Sequence, residues 1–191
     1  MKRQRSKAEL LLHMRTYQAL KKDAENKESI SGKTVYWRMA VEWCTALWKE
    51  EKFSTNELAK FLQYIADNHV TELTEERRDE IRKAIGDKGA DWILKNTVIP
   101  CKKKNAVDQA VNDLEFYNTK ACVDYSLLAC EYLITQKGYA KKRLDRVIGN
   151  VYYLDNLTAD LVWKMRQELF DQKGIWVELG KDDIPEDAKI I

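Results

Sequence analysis

The sequence predicts an all-α helical bundle, and three observations predict it. Breakers are scarce, with two prolines and seven glycines in 191 residues, whereas Lys, Glu, Leu and Ala are plentiful, a balance that favours helix. Apolar residues recur at helical spacing along most of the chain. The order of elements also repeats: KGADWILKNTVIP, Lys88 to Pro100, is echoed by KGIWVELGKDDIP, Lys173 to Pro185, and each proline closes one of these segments. The pattern reads as two tandem helical units, each ending in a short extended or strand-like segment.

The elements follow in order. Residues 1–30 form an expected N-terminal basic amphipathic helix, in which MKRQRSK leads into Leu10, Met14, Tyr17 and Leu20 at helical spacing. The first helical unit, 31–100, opens with a helix carrying two apolar stripes: Tyr36, Ala40, Trp43 and Leu47, and, turned by about 100°, Trp37, Val41, Cys44 and Trp48. A helix apolar around most of its girth belongs at the centre of a bundle. Ser54-Thr55-Asn56-Glu57 fits a capping box and opens a helix with Leu58, Phe61, Leu62 and Ile65 inward. Thr74 caps the next, which holds Ile81 and Ile85 and ends at Gly86, before the Trp92 segment and Pro100.

Residues 101–104 are a basic junction, since Lys102, Lys103 and Lys104 cannot all be buried. The second unit, 105–185, begins with a long helical pattern from Ala106 to Leu133, with a bend expected near Asn118. A helix with Leu144, Val147, Ile148 and Val151 follows, then one with Leu161, Val162, Met165 and Leu169 inward, then the strand-like GIWVEL. An acidic tail, 186–191, is expected to be loosely held.

The repeat has a register. A shift of 86 lays Cys44 on Cys130, Leu47 on Leu133, Phe53 on Tyr139, Leu58 on Leu144, Phe61 on Val147 and Ile65 on Val151. Once two residues are dropped, Thr74 meets Thr158, Ile81 meets Met165, Arg82 meets Arg166 and Ile85 meets Leu169. Identity is low, so duplication competes with coincidence, because amphipathic helices slide readily into hydrophobic register. Trp163 and Phe170 stand where the first unit has Asp79 and Gly86. That added apolar surface serves either packing between the halves or a partner.

Chemistry is poorly supplied. The 33 basic and 31 acidic residues nearly cancel, which removes any global pull toward nucleic acid or anionic membrane. Near the start the longest apolar run is Leu10 to Leu12, too short for a signal-peptide core or a membrane span; a cytoplasmic protein without membrane contact is expected. Cys44, Cys101, Cys122 and Cys130 form no CxxC, and His13 and His69 lie in no ligand spacing, so the cysteines read as free thiols and no metal site is expected. No GxxxxGK[ST], GxGxxG or GxSxG is present, and no catalytic or cofactor residue is assigned. The carboxylates and arginines of Glu75 to Lys83 read as a solvated helix face.

Binding is better supplied. Lys141, Lys142, Arg143 and Arg146 open a helix, a placement set against the helix dipole unless an anionic partner is present. Six Trp and nine Tyr exceed what a simple bundle needs, and such rings anchor protein interfaces. Trp43 and Trp176 are expected in the core, whereas Trp37, Trp48 and Trp163, with Phe170, are expected to meet a protein partner beside the four cations. No motif matches a family residue by residue. In general appearance the chain resembles the small accessory proteins carried by phages and mobile elements of Gram-positive bacteria. Some of those bind and block host defence complexes, including CRISPR effectors such as Cas9. The resemblance implies a non-catalytic inhibitor of a nucleic-acid-processing complex. The alternative is a nucleic-acid-binding or regulatory protein acting through Lys102, Lys103, Lys104 and the Lys141 to Arg146 group.

Overall fold

The computed structural model describes residues 35–69, 73–85, 106–155, 158–177 and 189–190. The basic helix expected over 1–30, Gly86, the Trp92 segment with Pro100, and the lysine junction lie outside them. Helix α1 spans 35–49, α2 Thr55–His69, α3 Glu75–Ile85, α4 Ala106–Thr135, α5 Lys141–Asp155 and α6 Ala159–Lys173. Strand β1, Ile175–Trp176, pairs in parallel with β2, Lys189–Ile190. The fold is all-α, as predicted, because among the described residues the only other regular structure is this two-residue pairing. Two expectations change. Helix α4 runs through Asn118 as one α-helix, and the end of the tail is fastened by β2 rather than loose.

Helices α1 and α4 are the centre of the molecule. Residues 39–47 of α1 and 123–133 of α4 are buried without interruption, so both helices are covered on every side, as two apolar stripes on α1 predict. Glu42, caught inside this zone, is held by the Arg38 guanidinium at 2.7 Å.

The repeat is visible in the backbone. Helices α2 and α5 each have 15 residues and start at 55 and 141; α1 and α4 end at 49 and 135. Both offsets are 86. Helices α3 and α6 start at 75 and 159, the offset of 84 left by the two dropped residues. The turns agree as well: the Phe53 N–H donates to the Leu47 carbonyl at 3.1 Å, and the Tyr139 N–H to the Leu133 carbonyl at 2.9 Å. The residue before each aromatic is left-handed, Lys52 at φ 61° and Gly138 at φ 63°. Glycine takes that conformation freely, whereas lysine meets a steric cost of about 1 kcal/mol.

The two units share one core. Helices α2 and α3 of the first pack on α4 of the second, while α1 is met by α6 through Trp37 against Trp163, 4.9 Å between centroids, and Lys49 with Glu168 at 2.6 Å. Arg78 is buried and grips Asp124 of α4 in a fork, Nε to Oδ1 at 2.7 Å and Nη2 to Oδ2 at 2.8 Å. Arg77 beside it reaches Glu131. The run from Glu75 to Lys83 is therefore only partly the solvated face that its composition predicts. The pairs Arg77 with Glu80 and Arg82 with Asp79 do lie on the surface, but Arg78 points into α4, where a fork of donors matches a carboxylate.

The caps at Ser54 and Thr74 form as the sequence predicts, whereas Thr158 stands at the start of α6 without a side-chain cap hydrogen bond. The Ser54 N–H and hydroxyl both donate to Glu57 at 2.9 Å, the Arg77 N–H donates to the Thr74 hydroxyl at 3.2 Å, and left-handed Gly174 closes α6. Glu57 also receives Lys137 at 2.6 Å. The Lys137 hydrogen bond, then those from Ser54, push its carboxyl down to about 2.

Two predictions follow from these contacts. Asp124→Ala leaves the buried Arg78 guanidinium with only the exposed Glu75 as a charged partner and costs about 3 kcal/mol of stability, read as a lower urea midpoint; a midpoint within error of the parent would contradict the fork. A depressed carboxyl stabilises fully above its ordinary value of 4.5 and loses that contribution as pH falls toward about 2. Glu57→Gln is thus expected to lower stability at neutral pH and to flatten the acid limb of a thermal-midpoint profile across that window.

Candidate interaction surface

The four cations of α5 do not share one role. Glu51, on the turn after α1, is only 1% exposed at its side chain, and both arginines converge on it. Arg143 Nε lies 2.6 Å from Oε2 and Arg146 Nη2 2.5 Å from Oε1. The Tyr139 hydroxyl donates to Oε2 at 3.1 Å, and the Arg143 guanidinium lies 3.9 Å over the Tyr139 ring. Burial raises the Glu51 carboxyl, but the hydrogen bonds from Arg146, Arg143 and Tyr139 outweigh it and hold the group below its ordinary value. Burial also pushes the Tyr139 phenol up, so it remains a donor. The anionic partner that a cationic helix start calls for is thus supplied from within the chain.

This clamp has a counterpart. By the repeat, Glu51 corresponds to Lys137 and Arg143 to Glu57, and Lys137 pairs with Glu57. The same positions meet across the two units with their charges exchanged. Lys141 and Lys142, by contrast, are exposed and enter no ion pair among the described residues. Lys102, Lys103 and Lys104 lie outside the described residues.

The aromatics also divide. Trp43 is in the core, as expected. Trp37, expected to be exposed, is instead only 7% exposed. Its stripe on α1 is covered by α6 and β1, and its indole N–H donates to the Val177 carbonyl at 3.0 Å. Arg166 is fully buried beside it, donates to the same carbonyl at 2.9 Å, and lies 3.7 Å from the Trp176 ring, 4.9 Å from Trp163 and 5.5 Å from Trp37. Trp176 is half-buried rather than core. Phe170 is half-buried against it, ring edge to face at 5.4 Å. Trp48 is half-buried with the ammonium groups of Lys49 and Lys173 each 5.5 Å from its ring.

Trp163 remains as the exposed indole, at 43%. With it come Tyr152 at 47% and Tyr153 at 70%, which the periodicity does not single out, and Leu161 at 39%, expected inward but lying to one side of the buried line through Val162. Among the described residues these are all the exposed large hydrophobics, and they fall within twelve positions, from the last turn of α5 to the first of α6.

The repeat supplies an internal control. The counterparts of Tyr152, Tyr153, Leu161 and Trp163 are Ala66, Asp67, Arg77 and Asp79, all exposed in the first unit. The same backbone positions are occupied there by small or charged residues, so the helix pair does not itself demand large apolar residues there, although Trp163 also packs on Trp37 across the units. Trp163 is also held in place, stacked on Trp37 and over Arg166, which limits the entropy lost when a partner closes on it.

Other surfaces carry less. An open groove of about 440 Å³ lies between α2 and the end of α4, lined by Lys60, Gln63, Tyr64, Asp67, Tyr132, Gln136 and Lys137. Its Tyr64 phenol is pushed up to about 12, first by burial and then by Glu131. Cys44 and Cys130 are buried thiols whose ionisation burial suppresses. Among the described residues no three His, Cys, Asp or Glu side chains converge as a metal needs, and no helix is long and apolar enough to cross a membrane. No protein-family model, curated protein or solved structure matches the chain.

The division of the cations is testable by unfolding in urea. Replacing Arg143 and Arg146 together by alanine leaves Glu51 buried without its partners and is expected to lower the midpoint clearly. Lys141→Ala with Lys142→Ala is expected to shift stability by no more than about 0.5 kcal/mol, as surface changes do. Equal effects of the two double variants would contradict the clamp.

Proposed function

We propose that this protein acts by binding rather than catalysis, and that a protein partner docks on the corner where α5 meets α6. The observation that carries this is the concentration of Tyr152, Tyr153, Leu161 and Trp163 at positions that are small or charged in the other unit. Isolated exposed apolar residues are ordinary, but a local group with a partly fixed indole has the make-up of an interface hot spot. The narrower reading is an accessory protein of a phage or mobile element that obstructs a host nucleic-acid-processing or defence complex, as inhibitors of CRISPR effectors do. It is supported by a rigid helical body that carries exposed rings and cations on one helix, which suits a target already holding nucleic acid.

Direct nucleic-acid binding through α5 is the second reading, favoured by the exposure of Lys141 and Lys142. Its support is reduced because Arg143 and Arg146 already hold Glu51.

A photo-crosslinking amino acid placed at 153 or 163, with 67 or 79 as matched positions, tests the proposal in a bacterial host lysate. A discrete adduct from 153 and 163 that is absent from 67 and 79 is the expected result, together with survival of the adduct in high salt. Equal labelling from all four sites would remove the corner from consideration. Adducts lost as salt rises and on nuclease treatment would favour the nucleic-acid reading.

A further inference from the structure

Resting on that reading, we propose that the partner lays an acidic helical segment along the outer stripe of α5, passing close over Gly149. Lys142, Arg146, Gly149 and Tyr153 follow one another at spacings of four, three and four, so they share one face of the helix, and all four are exposed. Gly149 is the informative member. A glycine inside a helix costs about 1 kcal/mol relative to alanine, and nothing in the fold explains it: a Cβ built there meets no atom within 4 Å, and its backbone is not left-handed. Its counterpart in the first unit is Gln63, exposed on α2, so the position accepts a long side chain. A missing side chain between Arg146 and Tyr153 instead leaves the stripe low at its middle, where another backbone can approach.

Charge selects the occupant. At the start of the stripe Lys141, Lys142, Arg143 and Arg146 stand against Glu51, which both arginines grip, and Glu50, whose charge acts on Arg146, with Asp145 on the same helix, so the excess of positive charge rests on Lys141 and Lys142. At the other end stand Tyr153 and, beyond the helix end, Leu161 and Trp163. A segment acidic at one end and apolar at the other complements this order. Nucleic acid fits less well: its affinity comes from several phosphate contacts, and two of the four cations already hold Glu51. The stripe from Lys142 to Tyr153 is about 17 Å long at helical rise, enough for about three turns of a partner helix.

The test titrates ¹⁵N-labelled full-length protein with a synthetic helical peptide of about four turns, carrying glutamates on one face at one end and leucines on the same face at the other. A peptide with lysine in place of glutamate, and oligothymidylate, serve as comparisons. The acidic peptide is expected to shift the amides of Lys142, Gly149 and Tyr153, and to bind about tenfold more weakly to Gly149→Leu and to the variant with Lys141→Glu and Lys142→Glu. Neither variant should lower the thermal midpoint, since leucine improves helix propensity at 149 and both lysines enter no ion pair among the described residues. No shift with the acidic peptide, equal shifts with the lysine peptide, or stronger binding of oligothymidylate would each overturn the proposal. If crosslinks at 153 and 163 persist unchanged in Gly149→Leu and in the double lysine variant, the docking corner stands and the acidic stripe fails.

Discussion

Two central helices must be hidden on all sides, and the architecture answers that demand. Over their buried stretches α1 and α4 are closed off from water, and among the described residues each unit offers two further helices to cover its own rod. The units therefore cover each other: α2 and α3 lie on α4, and α6 with β1 lies on the Trp37 side of α1. Burial of so much apolar surface is the main stabilising term. Because that surface is shared, the halves form one core and not two small ones.

Charge then fixes how the units meet. The forked Arg78 and Asp124 pair and the clamp on Glu51 are both desolvated at one partner or more, and both cross from one unit to the other. Such pairs add less net stability than their short distances suggest, because desolvation opposes the attraction. Misplacement is costly, however, since it would leave a buried charge alone. They set register more than they add stability. The exchange of charge between Glu51 with Arg143 and Lys137 with Glu57 shows the same contact kept with opposite signs.

Once the shared core and the crossing pairs are accounted for, what remains on the surface of the second unit is what the fold does not need. Trp37 and Arg166 are absorbed by the docking of β1, and Arg143 and Arg146 by Glu51. Tyr153, Leu161 and part of Trp163 stay exposed, as do the two lysines at the start of α5. The two units keep apolar residues at matching core positions, such as Leu47 with Leu133 and Leu58 with Leu144, while their exteriors differ.

The sequence by itself determined the helices and most of their ends. Ser54 with Glu57, Thr74, Gly138 and Gly174 act within a turn of their own positions, and a 3.6-residue period is a property of neighbours along the chain. The centrality of α1 was legible too, since its two stripes make it apolar around most of its girth. Only the tertiary structure decided which rings and cations are free. Trp37 reads as an exposed anchor until β1 lies across it, Leu161 reads as core until α6 turns it to the flank, and Arg143 and Arg146 read as a ligand site until Glu51, some ninety residues away, neutralises them. Exposure and charge pairing depend on residues far apart in sequence, and helical periodicity carries no information about which of them will meet.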